Sequence, residues 1–144
     1  MISEEEALSL RFDLLMNEPD ASRLNALQLA YLGDSVWELI VRYDLILRRY
    51  TVHHMHSSCV SAVNANAQAR ILNSIQDSLS DAEAEIVRRG RNAHAKHAAP
   101  RNQSPEDYAA STGFEALLGY LYLTGQDRRI REIISLIGEV RENV

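Results

Sequence analysis

Two carboxylates stand out because no neighbour shares their charge. Asp34 is the single charged residue in 24–37, LNALQLAYLGDSVW, and Glu115 is the single one in 108–126, YAASTGFEALLGYLYLTGQ. At helical spacing Leu24, Leu27, Tyr31, Trp37 and Val41 form an apolar stripe, and Asp34 falls on it. That placement predicts a buried carboxylate, which costs several kcal/mol (~) unless a hydrogen-bond network, a cation or a metal compensates it. Glu115 has Tyr108, Ser111 and Thr112 on one side along its face and Leu118, Gly119 and Tyr122 on the other, which predicts the edge of a buried layer. Such carboxylates can pair with an arginine, do general acid/base work, or hold a hard cation that binds phosphate oxygens.

A basic segment precedes the second carboxylate. No acid occurs between Glu85 and Glu106, whereas Arg88, Arg89, Arg91, Lys96 and Arg101 lie there beside His94 and His97. The whole chain carries a net charge of −5, but residues 1–20 hold six acids against one arginine, so the remainder is neutral. A local basic stripe of this kind makes phosphate contacts regardless of whole-chain charge. A solvated helix end complementing its own dipole would explain Arg88, Arg89 and Arg91, but not Lys96 and Arg101 beyond them. Carboxylates and stripe together point to Mg²⁺-assisted phosphodiester hydrolysis, with Lys and Arg positioning the backbone.

The elements that must position these groups read as helices throughout. Ser3 and Glu6 form a capping box for a first, acidic helix, which the 17–20 cluster is expected to stop. A second helix is expected from near Ser22 to about Arg49, with Gly33 as a bend. Its branched 39–47 segment stays helical because Glu38 and Arg42 are spaced to pair at i,i+4. Asn64 is expected to cap the second of two shorter helices within 51–76. Ser80 with Glu83 opens another, ending at or shortly after Gly90. Ser104-Pro105-Glu106-Asp107 starts the Glu115 helix. A last helix over 127–142 places Ile130, Ile133, Ile134 and Ile137 inward. His53, His54, His56 and Cys59 could bind zinc by type, but a second cysteine and paired spacing are missing.

At 144 residues and 46% hydrophobic content the chain is long enough for one all-α domain with its own core. No apolar run approaches a membrane span, the acidic start is unlike a signal peptide, and one cysteine suits a reducing compartment. A cytoplasmic protein with no membrane partner is expected.

Tyr31-Leu32-Gly33-Asp34-Ser35-Val36 resembles the signature of the ribonuclease III catalytic domain, and Phe114-Glu115-Ala116-Leu117-Leu118-Gly119 resembles that family's second acidic motif. The likeness is closer still to the Mini-III branch, bacterial members consisting of the catalytic domain alone. Arg88-Arg89-Gly90-Arg91-Asn92-Ala93, Ser111-Thr112 and Gly119-Tyr120-Leu121-Tyr122-Leu123 extend it, so that it covers roughly residues 22–130. The resemblance implies a ribonuclease III-like helical bundle over 1–144, with 1–20 as an acidic N-terminal helix and no double-stranded-RNA-binding domain. It implies a homodimer with Tyr31 and Leu32 at the junction, plain core packing being an equal reading of Tyr31. It further implies Mg²⁺ held by Asp34 and Glu115 as catalytic residues. The substrate would be double-stranded RNA, the precursor of large-subunit (23S) ribosomal RNA, contacted by Arg88, Arg89, Arg91, Asn92, Lys96 and Arg101. A ribosomal protein presenting that substrate is a further partner it allows.

The chain departs from the wider family at two positions. Ribonuclease III proper places acids where this sequence has Ala30 and Thr112. Mini-III enzymes share that thinning, which leaves more of the metal's coordination to water and RNA. Glu38, one turn after Asp34, could assist, although pairing with Arg42 accounts for it. The alternative function is a non-catalytic RNA-binding or ribosome-assembly protein of the same fold, which would not need both carboxylates.

Overall fold

The computed structural model describes residues 15–93 and 103–142, and the described elements are helical. In chain order they are α1 (Glu18–Arg23), α2 (Ala26–Leu47), α3 (Val52–Val63), α4 (Ala65–Ile75), a 3-10 turn (Gln76–Ser78), α5 (Asp81–Ala93), α6 (Pro105–Leu123) and α7 (Asp127–Glu142). None of the described helices is long and apolar enough to cross a membrane.

Capping residues set most of the boundaries. Asn17 accepts a hydrogen bond from the Asp20 backbone N–H at 2.8 Å, so the 17–20 cluster opens α1 instead of only closing a preceding helix. Pro19 fits there because the first turn has no intrahelical acceptor for its missing N–H. The expected single helix from Ser22 is therefore two: Leu24 is extended, and Asn25 with Gln28 forms the capping box that starts α2. Asn64 separates α3 from α4 as expected, accepting from the Ala67 N–H at 2.8 Å. The Ser80–Glu83 box is reciprocal, and Ser104 caps α6 by accepting from the Asp107 N–H at 3.0 Å. The Ser3–Glu6 box lies outside the described residues.

Helix α6 is the axis of the fold. From Ala110 to Leu121 every residue is buried except the partly exposed Glu115. Helices α2, α4, α5 and α7 pack around it. Trp37 of α2 meets Phe114 edge-on at 5.2 Å and donates its indole N–H to the Ala62 carbonyl at 3.2 Å, tying α2 to α3 and α6.

Two crossings are too close for side chains. A Cβ on Gly33 would lie 1.6 Å from the Glu115 carbonyl oxygen, and one on Gly119 would lie 2.0 Å from that of Leu29. Gly33 is thus a contact point between helices, not the bend expected from sequence. The second crossing joins α5 to α6, where a Cβ on Gly90 would lie 2.7 Å from the Gly113 Cα.

This close approach also moves the buried stripe of α2. The residues turned inward are Ala26, Leu29, Ala30, Gly33, Val36, Trp37, Val41 and Leu45, while Tyr31 and Asp34 are exposed. The expectation that Asp34 lies on the buried stripe is corrected accordingly. Small residues face α6 because its backbone is near, a signal that a reading weighted toward large apolar residues does not register.

Candidate active site

The Gly33–Gly119 crossing places the two carboxylates together. Asp34 follows Gly33 directly, and Glu115 is one turn before Gly119, with its own carbonyl against Gly33. Their proximity is visible electrostatically. Burial pushes the Glu115 carboxyl up to about 8, and the Asp34 charge adds to that shift. The Asp34 carboxyl is also raised, first by partial burial and then by Glu38. Among the described residues no Lys, Arg or His forms an ion pair with Asp34 or Glu115. Two coupled carboxylates with raised pKa values and no neutralising side chain suit a hard divalent cation, which carboxylate and water oxygens bind.

Glu38 is spoken for. It pairs with Arg42 at i,i+4, as the spacing predicts, and both side chains are substantially exposed. The Ala30 and Thr112 positions supply no further ligand. Ala30 is buried against the core, and the Thr112 hydroxyl donates to the Tyr108 carbonyl of its own helix at 3.0 Å. Among the described residues no group of three or more His, Cys, Asp or Glu side chains gathers, the 53–59 histidines and Cys59 included. His54 instead stacks on Tyr50, with ring centroids 4.2 Å apart.

One residue at this site escaped the sequence reading. Gln68 of α4 is 1% exposed, and its side-chain amide acts on the Glu115 carboxyl, opposing part of the upward shift that burial causes. The signal was present: Gln68 shares the face of Ala65, Ala69, Leu72 and Ile75, so it is a polar residue on an apolar stripe.

The arginines of α5 are not alike. Arg88 is exposed and paired with Glu85 at 2.5 Å. Arg89 donates to the Ser22 carbonyl at 2.7 Å and the Leu24 carbonyl at 2.6 Å, so it fastens the α1–α2 junction to α5. Arg91 reaches the Gln76 side chain at 3.3 Å, and Asn92 is exposed nearby on the last turn. Lys96, Arg101, His94 and His97 lie outside the described residues. Tyr31 is 86% exposed, which removes core packing within this chain as its role, and Leu32 packs partly against the core.

Comparison with known proteins bears on the same residues. Positions 27–126 match the Ribonuclease III domain family, an interval that includes both carboxylates and both glycine crossings. The Mini-ribonuclease 3 of Symbiobacterium thermophilum is 47% identical over 120 residues, 83% of this chain and 92% of that protein. Those of Synechococcus sp. and Clostridium tetani are 44% identical over 123 residues and 38% over 120, covering 85% and 82% of this chain and 88% and 79% of theirs. A crystal structure of a protein from Fusobacterium nucleatum matches with a TM-score of 0.74 at 28% identity, covering 83% of this chain and 95% of that one. The chain belongs to the ribonuclease III family, in its Mini-ribonuclease 3 branch, and is an endoribonuclease of that type.

Proposed function

We propose that this endoribonuclease hydrolyses phosphodiester bonds of double-stranded RNA with Mg²⁺ held by Asp34 and Glu115, and that its substrate is the precursor of large-subunit ribosomal RNA in the cytoplasm. The observation that carries this reading is the coupled, un-neutralised Asp34–Glu115 pair. When bound, Mg²⁺ polarises the phosphorus and makes a water a competent nucleophile near neutral pH. The chain's own contribution is placement. Glu115 is fixed by the fully packed α6, whereas Asp34 stands at the exposed rim where a phosphate can approach. Because only two acids converge among the described residues, RNA and water complete the coordination.

Affinity for the duplex is assigned to Arg88, Arg91, Asn92, Lys96 and Arg101, which would meet phosphates and 2′-hydroxyls without reading sequence. Arg89 is assigned a supporting part, since its guanidinium already serves two carbonyls.

A homodimer is the second part of the proposal. Leu39, Tyr43 and Leu47 follow one another every fourth residue on α2, Tyr31 lies two such steps before Leu39 with Ser35 between, and all four apolar side chains are exposed. A separate depression of about 330 Å³ between α2 and α3 is lined by Ile46, Val52 and Val60 together with the Glu38–Arg42 pair. An apolar row of this length suits a second copy of the chain, with the Asp34 site at its margin.

The test is incubation with duplex RNA, with and without Mg²⁺, beside Asp34→Asn. Cleavage only with Mg²⁺ and only by the unaltered protein is expected. Cleavage that survives the substitution would overturn the reading.

A further inference from the structure

Gln68 presents a contradiction in hydrogen bonding. Its Nε2 donates to the Val63 carbonyl at 2.9 Å, while its Oε1 is buried with no hydrogen-bond partner among the described residues. A buried, unpartnered amide oxygen costs about 1–3 kcal/mol, and an apolar residue of similar shape would avoid that cost. The rest of the α4 inner face is made of such apolar residues.

The Val63 carbonyl determines which end of the amide is nitrogen. It accepts one Nε2 hydrogen and leaves the other, and the amide favours the ionised Glu115 carboxylate as a donor turned toward it does. Oε1 is then an acceptor on the same side chain that acts on the Glu115 carboxylate, itself an acceptor when ionised. While Glu115 is ionised, as it must be to hold a cation, neither group can satisfy the other. A water bound to a divalent cation is a strong donor of the kind that both then lack.

We propose that Gln68 is a positioning residue of the metal site: Nε2 holds the Glu115 carboxylate in its ligating orientation, and Oε1 accepts a hydrogen bond from a water of the cation's coordination shell. The inference rests on the reading of Asp34 and Glu115 as metal ligands. It makes α4 a third wall of the site, beside α2 and α6. It also explains why a buried polar residue stands where packing alone calls for Leu or Met.

The experiment measures Mg²⁺ binding by isothermal titration calorimetry without RNA, together with the Tm of the metal-free protein. Unaltered protein, Asp34→Asn and Gln68→Met are compared. Gln68→Met keeps the volume and removes both hydrogen-bonding atoms, and is expected to weaken Mg²⁺ binding by about 10-fold or more. Its metal-free Tm should be unchanged or higher, because the orphan acceptor is gone. Affinity equal to that of the unaltered protein, or a fall in metal-free Tm that accompanies the loss of affinity, would overturn the inference. Should Gln68→Met not fold, Gln68→Asn retains the amide but cannot span Val63 and Glu115, and the same loss of affinity is expected; full affinity overturns the inference. The underlying reading fails separately, when Asp34→Asn binds Mg²⁺ as tightly as the unaltered protein does.

Discussion

Gly33 and Gly119 oppose each other across the α2–α6 crossing, each with its Cα pressed toward the other helix's backbone. The contact is what sets Asp34 beside Glu115, so the Gly-Asp order within Tyr31–Val36 is a geometric requirement. Gly33→Ala and Gly119→Ala must each displace main chain, and each is expected to destabilise by about 3 kcal/mol or more, at or beyond the usual range for overpacking. Gly138 is the matched control: a Cβ there meets nothing within 4 Å. Gly138→Ala should stabilise α7 by about 0.5–1 kcal/mol through helix propensity. Urea unfolding of the three variants checks both signs.

The Glu115 carboxyl, pushed up to about 8, makes metal-free stability depend on pH. In the unfolded chain the group ionises near 4.5. Between those values the folded protein keeps a proton that the unfolded chain has released. Stability should therefore fall as pH rises from about 4.5 to 8 and level off above, with a slope of at most about 1.4 kcal/mol per pH unit. Glu83, whose carboxyl is lowered, acts below this window and in the opposite direction. Urea unfolding in chelator at pH 5, 6.5 and 8.5 should show the fall in the unaltered protein and its loss in Glu115→Gln. An equal slope in both would assign the dependence to other groups.

Far from the site, Arg129 of α7 forms two hydrogen bonds with Glu83, at 2.8 and 2.9 Å, and a third with the Ser78 carbonyl at 2.6 Å. Glu83 is 5% exposed and depends on that partner. Arg129→Met should cost about 3 kcal/mol by leaving a buried carboxylate unpaired, and Arg129→Met combined with Glu83→Leu should recover part of it. Chemical denaturation of the single and double variants measures the coupling.

For the RNA surface, Arg91→Ala with Lys96→Ala is expected to reduce the slope of log affinity against log salt by about two, one for each phosphate contact. Duplex binding measured by fluorescence anisotropy across salt concentrations gives that slope. An unchanged slope would remove this segment from the interface. Arg89→Ala should lower the Tm, because two backbone carbonyls lose their donor.

The helices were legible because their ends are chemically marked. Asn64, Ser80 and Ser104 each bond the N–H three residues on, which short polar side chains before apolar runs foretell. Both carboxylates were legible as charges isolated in apolar sequence. What could not be read was which way α2 faces. Tyr31 and Leu27 outweigh Ala30 and Gly33 in any count of hydrophobicity, yet the small residues are the buried ones, because the depth of a helix crossing depends on both partners. Gln68 was overlooked for a related reason: its meaning depends on Glu115, 47 residues later, and no local pattern links the two. The 17–20 cluster does not announce α1 in the sequence, because a helix stop and a helix start use the same residue types.

The burial of α6 from Ala110 to Leu121 has a consequence for how the molecule breathes. Enclosed by α2, α4, α5 and α7, that segment has no route to partial opening, so its amides should exchange with solvent only through global unfolding. Glu115 is carried by the last segment to let go. Fluctuations that admit and release a bulky duplex must then arise at the periphery, leaving one side of the reaction centre stationary for as long as the protein remains folded.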